Sequence, residues 1–172
     1  HGPEGLKAIA TYVHDCTRTL AAGLRRLGHR IRHERFFDTL RLDLVGVDAA
    51  GLRAAAEGRR INLRYFDDGS VGVSLDETVT VADLDDLLAV FAGGQDLRLT
   101  AAALAAELGA ADFGDLARGS AYLTHPTFSR HHSETEMMRY IKKLEAKDLS
   151  LTTSMIPLGS CTMKLNAAAE LL

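Results

Sequence analysis

Residues 61–75 read INLRYFDDGSVGVSL, and this stretch decides the fold class. Apolar residues alternate with polar ones on both sides of a turn: Ile61, Leu63 and Tyr65 before it, Val71, Val73 and Leu75 after it. The turn residues at 67–70, Asp-Asp-Gly-Ser, are the types that reverse a chain between strands. The stretch therefore predicts a β-hairpin with one buried face.

Helical periodicity precedes the hairpin. From Pro3 to Leu27, apolar residues recur every three or four positions, which is typical of one long amphipathic helix. Gly28 suits the left-handed residue that ends such a helix. After it, alternation from Phe36 to Leu44 predicts a strand with one solvent-exposed face.

Two shorter helices flank the hairpin. Asp48 suits the cap of a helix closed by Gly58. Thr80 and Asp83 form a variant capping box ahead of a helix that the glycines at 93 and 94 end. Together these elements predict the α+β class, with a small domain over residues 1–92.

The remaining sequence changes character. Residues 93–120 combine an alanine-rich helix, Thr100 to Leu108, with glycine-punctuated loops, and we interpret them as a connector. Residues 121–172 form a third part that contains a helix after Ser133 and the start of a final helix that Asn166 can cap. The apolar face of the helix after Ser133 is predicted to carry Met137, Tyr140, Ile141 and Leu144.

Composition excludes several classes of protein. With 20 Lys+Arg against 23 Asp+Glu the net charge is −3, so no global basic field attracts nucleic acid or an anionic membrane. No apolar run approaches the ~20 residues of a membrane span, and we expect a cytoplasmic protein. Cys16 and Cys161 form no metal or disulfide pattern and are expected to be reduced. Because the chain starts at His1, we expect a fragment of a longer protein.

The densest polar cluster runs from His125 to Glu136. His132 and Glu136 have the i, i+4 spacing of two metal ligands, with His125 or His131 as a third. Ser133 and Glu136 also have the spacing of a capping box, which explains the cluster without a metal. We therefore favour a helix start and predict no metal site.

A second cluster occupies residues 154–166, SMIPLGSCTMKLN. Small hydroxyl residues around Gly159, followed by Lys164, can hold a carboxylate or phosphate. The glycine–lysine spacing of a P-loop is missing. Cys161 has no histidine placed beside it, and a packed thiol is the commoner case. The residues alone favour a ligand-lining loop and a structural loop equally.

These clusters resemble a known family. The run YLTHP at 122–126, HHSETEM at 131–137, KDLS at 147–150 and MIPLGSCTMKLN at 155–166 closely resemble the P-protein of the glycine cleavage system. The opening HGPEGL at 1–6 and LDET at 75–78 fit the same family, so the resemblance covers the whole chain.

The resemblance implies a pyridoxal-phosphate-dependent enzyme that decarboxylates glycine and passes the aminomethyl group to the lipoyl arm of the H-protein. Its long members contain two halves, each similar to a fold-type I pyridoxal-phosphate transferase. Residues 1–92 then correspond to the small C-terminal domain of the first half, and residues 121–172 to the incomplete start of the second. The parent is expected to be a homodimer or a two-half assembly.

The resemblance also implies where the site residues lie. The lysine that forms the Schiff base with the cofactor is expected outside this chain, so the fragment alone is predicted to be inactive. Ser160, Cys161, Thr162 and Lys164 are expected to line the active-site cavity, without an assigned chemical role. The alternative is a free-standing regulatory or metal-binding module.

Overall fold

The computed structural model describes residues 1–95, 98–150 and 153. The chain divides into two compact units, Glu4–Ala121 and a second that combines His1–Pro3 with the chain from Tyr122 onward. Within the described residues, no helix is both long and apolar enough to cross a bilayer.

Helices and a small sheet alternate along the chain. In order, the elements are α1 (Gly2–Arg26), β1 (Arg30–Ile31), β2 (Thr39–Asp43), α2 (Ala49–Gly58), β3 (Arg64–Tyr65), β4 (Val71–Ser74), α3 (Val81–Phe91), α4 (Ala101–Glu107) and α5 (Glu134–Glu145). Short 3-10 turns lie at Gly114–Leu116 and Pro126–Ser129. The predicted α+β class is confirmed.

The sheet is antiparallel throughout, in the order β1-β2-β4-β3. The predicted hairpin is its β3–β4 pair, where Tyr65 lies opposite Val71 and Gly69 supplies the left-handed turn residue at φ +78°. The strand predicted from Phe36 begins only at Thr39. Strand β1 was not predicted, because two residues are too few to show alternation.

The core lies between the sheet and the helices of the first unit. On β2, Leu40 and Leu42 are 1% and 0% exposed while the residues between and beside them reach solvent, as alternation predicted. The helices add further fully buried side chains: Leu20 and Leu24 from α1, Leu52 from α2, Leu88 and Phe91 from α3. This unit thus has a continuous hydrophobic core.

Helix ends follow the predicted caps. The Asp48 carboxylate accepts a hydrogen bond from the Gly51 N–H at 2.8 Å, and Gly28 ends α1 at φ +90°. Helix α2 ends at Gly58, as predicted, but Gly58 is not a left-handed residue. Arg60 adopts the left-handed conformation instead, at φ +60°.

Helix α4, which the sequence placed in the connector, contributes to the core of the first unit. Ala101 and Leu104 are each 1% exposed. The Asp85 carboxylate of α3 accepts the Ala101 N–H at 2.6 Å, which holds the start of α4 against α3. The domain boundaries near residues 92 and 120 stay predictions.

Helix α5 differs from the other long helices. It buries none of its side chains. Met137, Met138, Ile141 and Leu144 are all between 44% and 51% exposed. The predicted apolar face therefore exists as a pattern but covers no core of the described chain.

Candidate functional site

The residues expected to line an active-site cavity, Ser160, Cys161, Thr162 and Lys164, lie outside the described residues. So do Gly159 and the remainder of the cluster at 154–166. Their assignment therefore stays a prediction. The first cluster, His125 to Glu136, lies within the described residues.

The 3-10 turn Pro126–Ser129 opens this cluster. His125 precedes it in an extended conformation, and its Nδ1 accepts a hydrogen bond from the Thr127 N–H at 3.2 Å. Pro126 occupies the first position of the turn, where its missing N–H costs nothing. His125 therefore acts as a cap of its own turn.

Ser133 begins α5, as predicted. Its Oγ accepts the Glu136 N–H at 3.2 Å. The predicted reciprocal box is only half formed here, whereas Thr80 and Asp83 of α3 make both of its bonds. Glu134 and Glu136 in the first turn of α5 match the positive end of the helix dipole.

The histidines of the cluster have separate partners. The His131 ring stacks on Tyr140, with 4.4 Å between ring centroids and 10° between planes. His131 holds a left-handed backbone conformation, φ +59°. Among residues 1–95, 98–150 and 153, no three His, Cys, Asp or Glu side chains are placed to share a metal ion.

The structure adds a feature that sequence reasoning missed, a groove of about 380 Å³ beside α5. Its lining, here called the α5 groove, consists of Thr127, Arg130, His131, Glu136, Arg139, Tyr140 and Lys143. The signal was present: Glu136, Arg139, Tyr140 and Lys143 recur at three and four positions and share one helix face. Tyr140, assigned to the apolar face, lines this polar groove instead.

The other reactive side chain of interest is Cys16 on α1. It is a free thiol at 7% exposure, and burial raises its pKa. Nearby Tyr12 donates its hydroxyl to the Val79 carbonyl at 2.6 Å. The arrangement is that of a small packed side chain, as expected from the sequence.

Buried histidines of the first unit serve the fold. His29, 4% exposed, donates from Nε2 to the Phe91 carbonyl at 2.9 Å, and its Nδ1 accepts the Val45 N–H at 3.1 Å. His14 donates from Nδ1 to the Phe37 carbonyl at 2.9 Å and stacks on the Phe37 ring. Both rings satisfy backbone groups.

Pyridoxal phosphate needs a lysine in an enclosed pocket, and the described residues do not fit that requirement. Lys7, Lys142, Lys143 and Lys147 are all exposed. Lys142 pairs with Glu145 at 2.6 Å, and Lys143 lines the α5 groove.

Comparisons with known proteins cover the whole chain. Residues 1–91 match the family described as "Glycine cleavage system P-protein". The chain is 53% identical, over 180 residues, to a "Glycine dehydrogenase (decarboxylating)" of Nostoc punctiforme. The alignment covers 100% of this chain and 18% of the relative. A mouse relative, "Glycine dehydrogenase (decarboxylating), mitochondrial", is 50% identical over 171 residues, 99% of this chain and 17% of the relative. The chain thus spans less than a fifth of the relatives it matches.

Proposed function

Because the chain belongs to the glycine cleavage system P-protein family, we propose that it is part of an enzyme that decarboxylates glycine with pyridoxal phosphate. That enzyme transfers the aminomethyl group to the lipoyl arm of the H-protein. The observation that carries the proposal is an identity of about one half along the entire chain, the 154–166 cluster included. An oxidoreductase of glycine catabolism is the corresponding class.

Within that enzyme, we assign residues 1–92 to the small C-terminal domain of a first half, 93–120 to a connector and 121–172 to the start of a second half. Each half is proposed to have the fold-type I transferase architecture, assembled as a homodimer or from two halves. The exposed apolar side chains of α5 support this assignment, because a chain of the relatives' length has further polypeptide to cover them.

Ser160, Cys161, Thr162 and Lys164 are proposed to line the active-site cavity of the complete enzyme. A hydroxyl-rich loop with one ammonium group suits a carboxylate or phosphate, the charged groups of glycine and of the cofactor. Pyridoxal phosphate supplies the electron sink for loss of carbon dioxide, and the lysine that holds it is proposed to lie outside these 172 residues.

The cytoplasm is the compartment that we propose for the complete protein. The mouse relative carries a mitochondrial designation in its name. Expression of the complete protein as a fluorescent fusion in its own cells decides between the cytoplasm and an organelle.

The test is a chimera of the Nostoc punctiforme relative in which this chain replaces the matching segment. We expect the chimera to release labelled carbon dioxide from carboxyl-labelled glycine, because the exchanged segments share about half of their residues along the whole length. The control is the same relative without the segment, which should release none. A folded chimera that binds pyridoxal phosphate yet leaves glycine intact would contradict the proposal.

The isolated chain provides a second arm of that test. Incubated with pyridoxal phosphate and reduced with borohydride, it should show no stoichiometric modification of any one lysine by mass spectrometry. Complete labelling of Lys164 would mean that the chain holds its own cofactor lysine, against the proposed division of the site.

A further inference from the structure

We propose that the α5 groove binds the phosphate group of a small molecule. Three cations, Arg130, Arg139 and Lys143, and one carboxylate, Glu136, line its volume of about 380 Å³. Ligand pockets typically enclose roughly 300–1,000 Å³, so the groove has room for a phosphate group and a small organic body.

The cations of the groove lack acidic partners. Within residues 1–95, 98–150 and 153, no ion pair joins Arg130, Arg139 or Lys143 to an Asp or Glu. Arg139 and Lys143 lie four residues apart on one helix face, a spacing at which like charges repel. A bound anion removes that repulsion, whereas an empty groove keeps it.

The hydrogen-bond donors favour phosphate over carboxylate. Two guanidinium groups present planar forks that each match two oxygens of a phosphate, and the Lys143 ammonium adds a point charge. The hydroxyls of Thr127 and Tyr140 also line the groove. A phosphate monoester has three terminal oxygens to accept these donors, and a carboxylate has two.

The ring of Tyr140 is held in place before any ligand arrives. It stacks on His131 at 4.4 Å, and His131 adopts its left-handed conformation at the entry to α5. Since Arg139, Tyr140 and Lys143 all belong to α5, the helix fixes the spacing of their backbone positions. Preorganised donors lose less freedom on binding than donors carried on a loop.

Removing the charge of Glu136 should strengthen phosphate binding, whereas removing the cations should weaken it. Its carboxylate lines the groove and repels an anion, while its backbone N–H alone serves the Ser133 cap. Glu136→Gln keeps the shape of the side chain and removes the charge. We therefore expect this variant to bind phosphate several-fold more tightly than the unchanged chain.

The experiment titrates the 172-residue chain with inorganic phosphate at low ionic strength, followed by phosphorus NMR and by amide shifts of residues 127–143. We expect saturable binding that weakens by at least about tenfold in the variant R130Q/R139Q, because each charged hydrogen bond contributes on the order of a factor of ten. Lys147→Gln, an exposed cation outside the groove, is the matched control and should leave binding unchanged.

Glycerol phosphate and acetate separate the ligand classes. Glycerol phosphate should bind at least as well as inorganic phosphate, and acetate should bind more weakly. Equal weakening by K147Q and R130Q/R139Q would show diffuse attraction and overturn the site. Acetate binding equal to phosphate, or the absence of saturation, would overturn it as well. The proposal is independent of the glycine activity, whose chimera test stands whichever way these titrations fall.

Discussion

Two regions of the molecule contain arginines in opposite electrostatic surroundings. On the sheet of the first unit, Arg32 bonds Asp43 at 2.6 Å and Asp68 at 2.7 Å, and Arg41 reaches Asp68 at 2.9 Å. In the α5 groove, Arg130 and Arg139 have no such partner among the described residues. The arginines at the sheet are neutralised by aspartates of the same unit and help to hold the strands together. The arginines of the α5 groove have no such carboxylate and can bind an anionic ligand.

The same two regions differ in burial. Strand β2 and helices α1 to α4 converge on a shared core, so each element depends on the others. Helix α5 buries no side chain, although its sequence is as amphipathic as that of α1. Amphipathic pattern alone therefore does not tell whether a helix packs within its own chain.

The largest expected contrast comes from truncating one apolar side chain in each region. Leu42→Ala removes a side chain with 0% exposure and should lower the free energy of unfolding by about 3 kcal/mol. Ile141→Ala, at a 51% exposed position, should change it by less than about 0.5 kcal/mol. Urea denaturation followed by circular dichroism measures both. A loss at Ile141 as large as at Leu42 would erase the distinction.

The helix caps give a smaller contrast. Thr80→Ala removes the Thr80 hydroxyl, which accepts the Asp83 N–H and donates to the Asp83 carboxylate, while the Thr80 backbone N–H keeps its bond to that carboxylate. The substitution should cost about 1–2 kcal/mol of global stability. Ser133→Ala removes the single bond to the Glu136 N–H and should cost about 1 kcal/mol. Since α5 buries nothing, that loss should appear as local fraying. Hydrogen exchange of α5 amides should quicken while α3 amides keep their rates; quickening in both would show that the two helices unfold together.

The smallest expected effect is a loss of stability at acidic pH. The Ser70 hydroxyl and the Arg32 guanidinium hold the pKa of Asp68 well below its usual range, and Arg32 lowers the pKa of Asp43. A lowered pKa in the folded state adds stability above the unfolded value of about 3.9, and that stability is lost as the pH falls through the folded pKa. The melting temperature should therefore be level above about pH 5 and decline below about pH 4.

Asp68→Asn should flatten part of that decline. Asp67→Asn is the matched control, because it is the Asp68 carboxylate that accepts the hydrogen bonds from Arg32 and Ser70. Melting curves from pH 2 to pH 7 compare the variants. An identical decline in both would mean that carboxylates elsewhere cause it.

Local chemistry explains what could be predicted. The hairpin around Gly69, the caps at Asp48 and Thr80 and the end of α1 at Gly28 each depend on neighbouring residues, which the sequence displays directly. The missed features, strand β1 and the left-handed Arg60, are two residues and one residue long. Periodicity cannot identify elements that short.

The same distinction between local and long-range features applies to the candidate sites. Sequence alone determined that Ser133 begins a helix, because a cap and its partner lie three residues apart. The sequence alone also determined the family resemblance, because that resemblance depends on the order of residues in short motifs and not on their positions in space. Only the tertiary structure decided that Arg130, from the loop, joins Arg139 and Lys143 of α5 around one groove, and that Tyr140 faces it. Which charges meet acids and which stay unpaired depends on distances between elements, and a linear pattern contains no such distances.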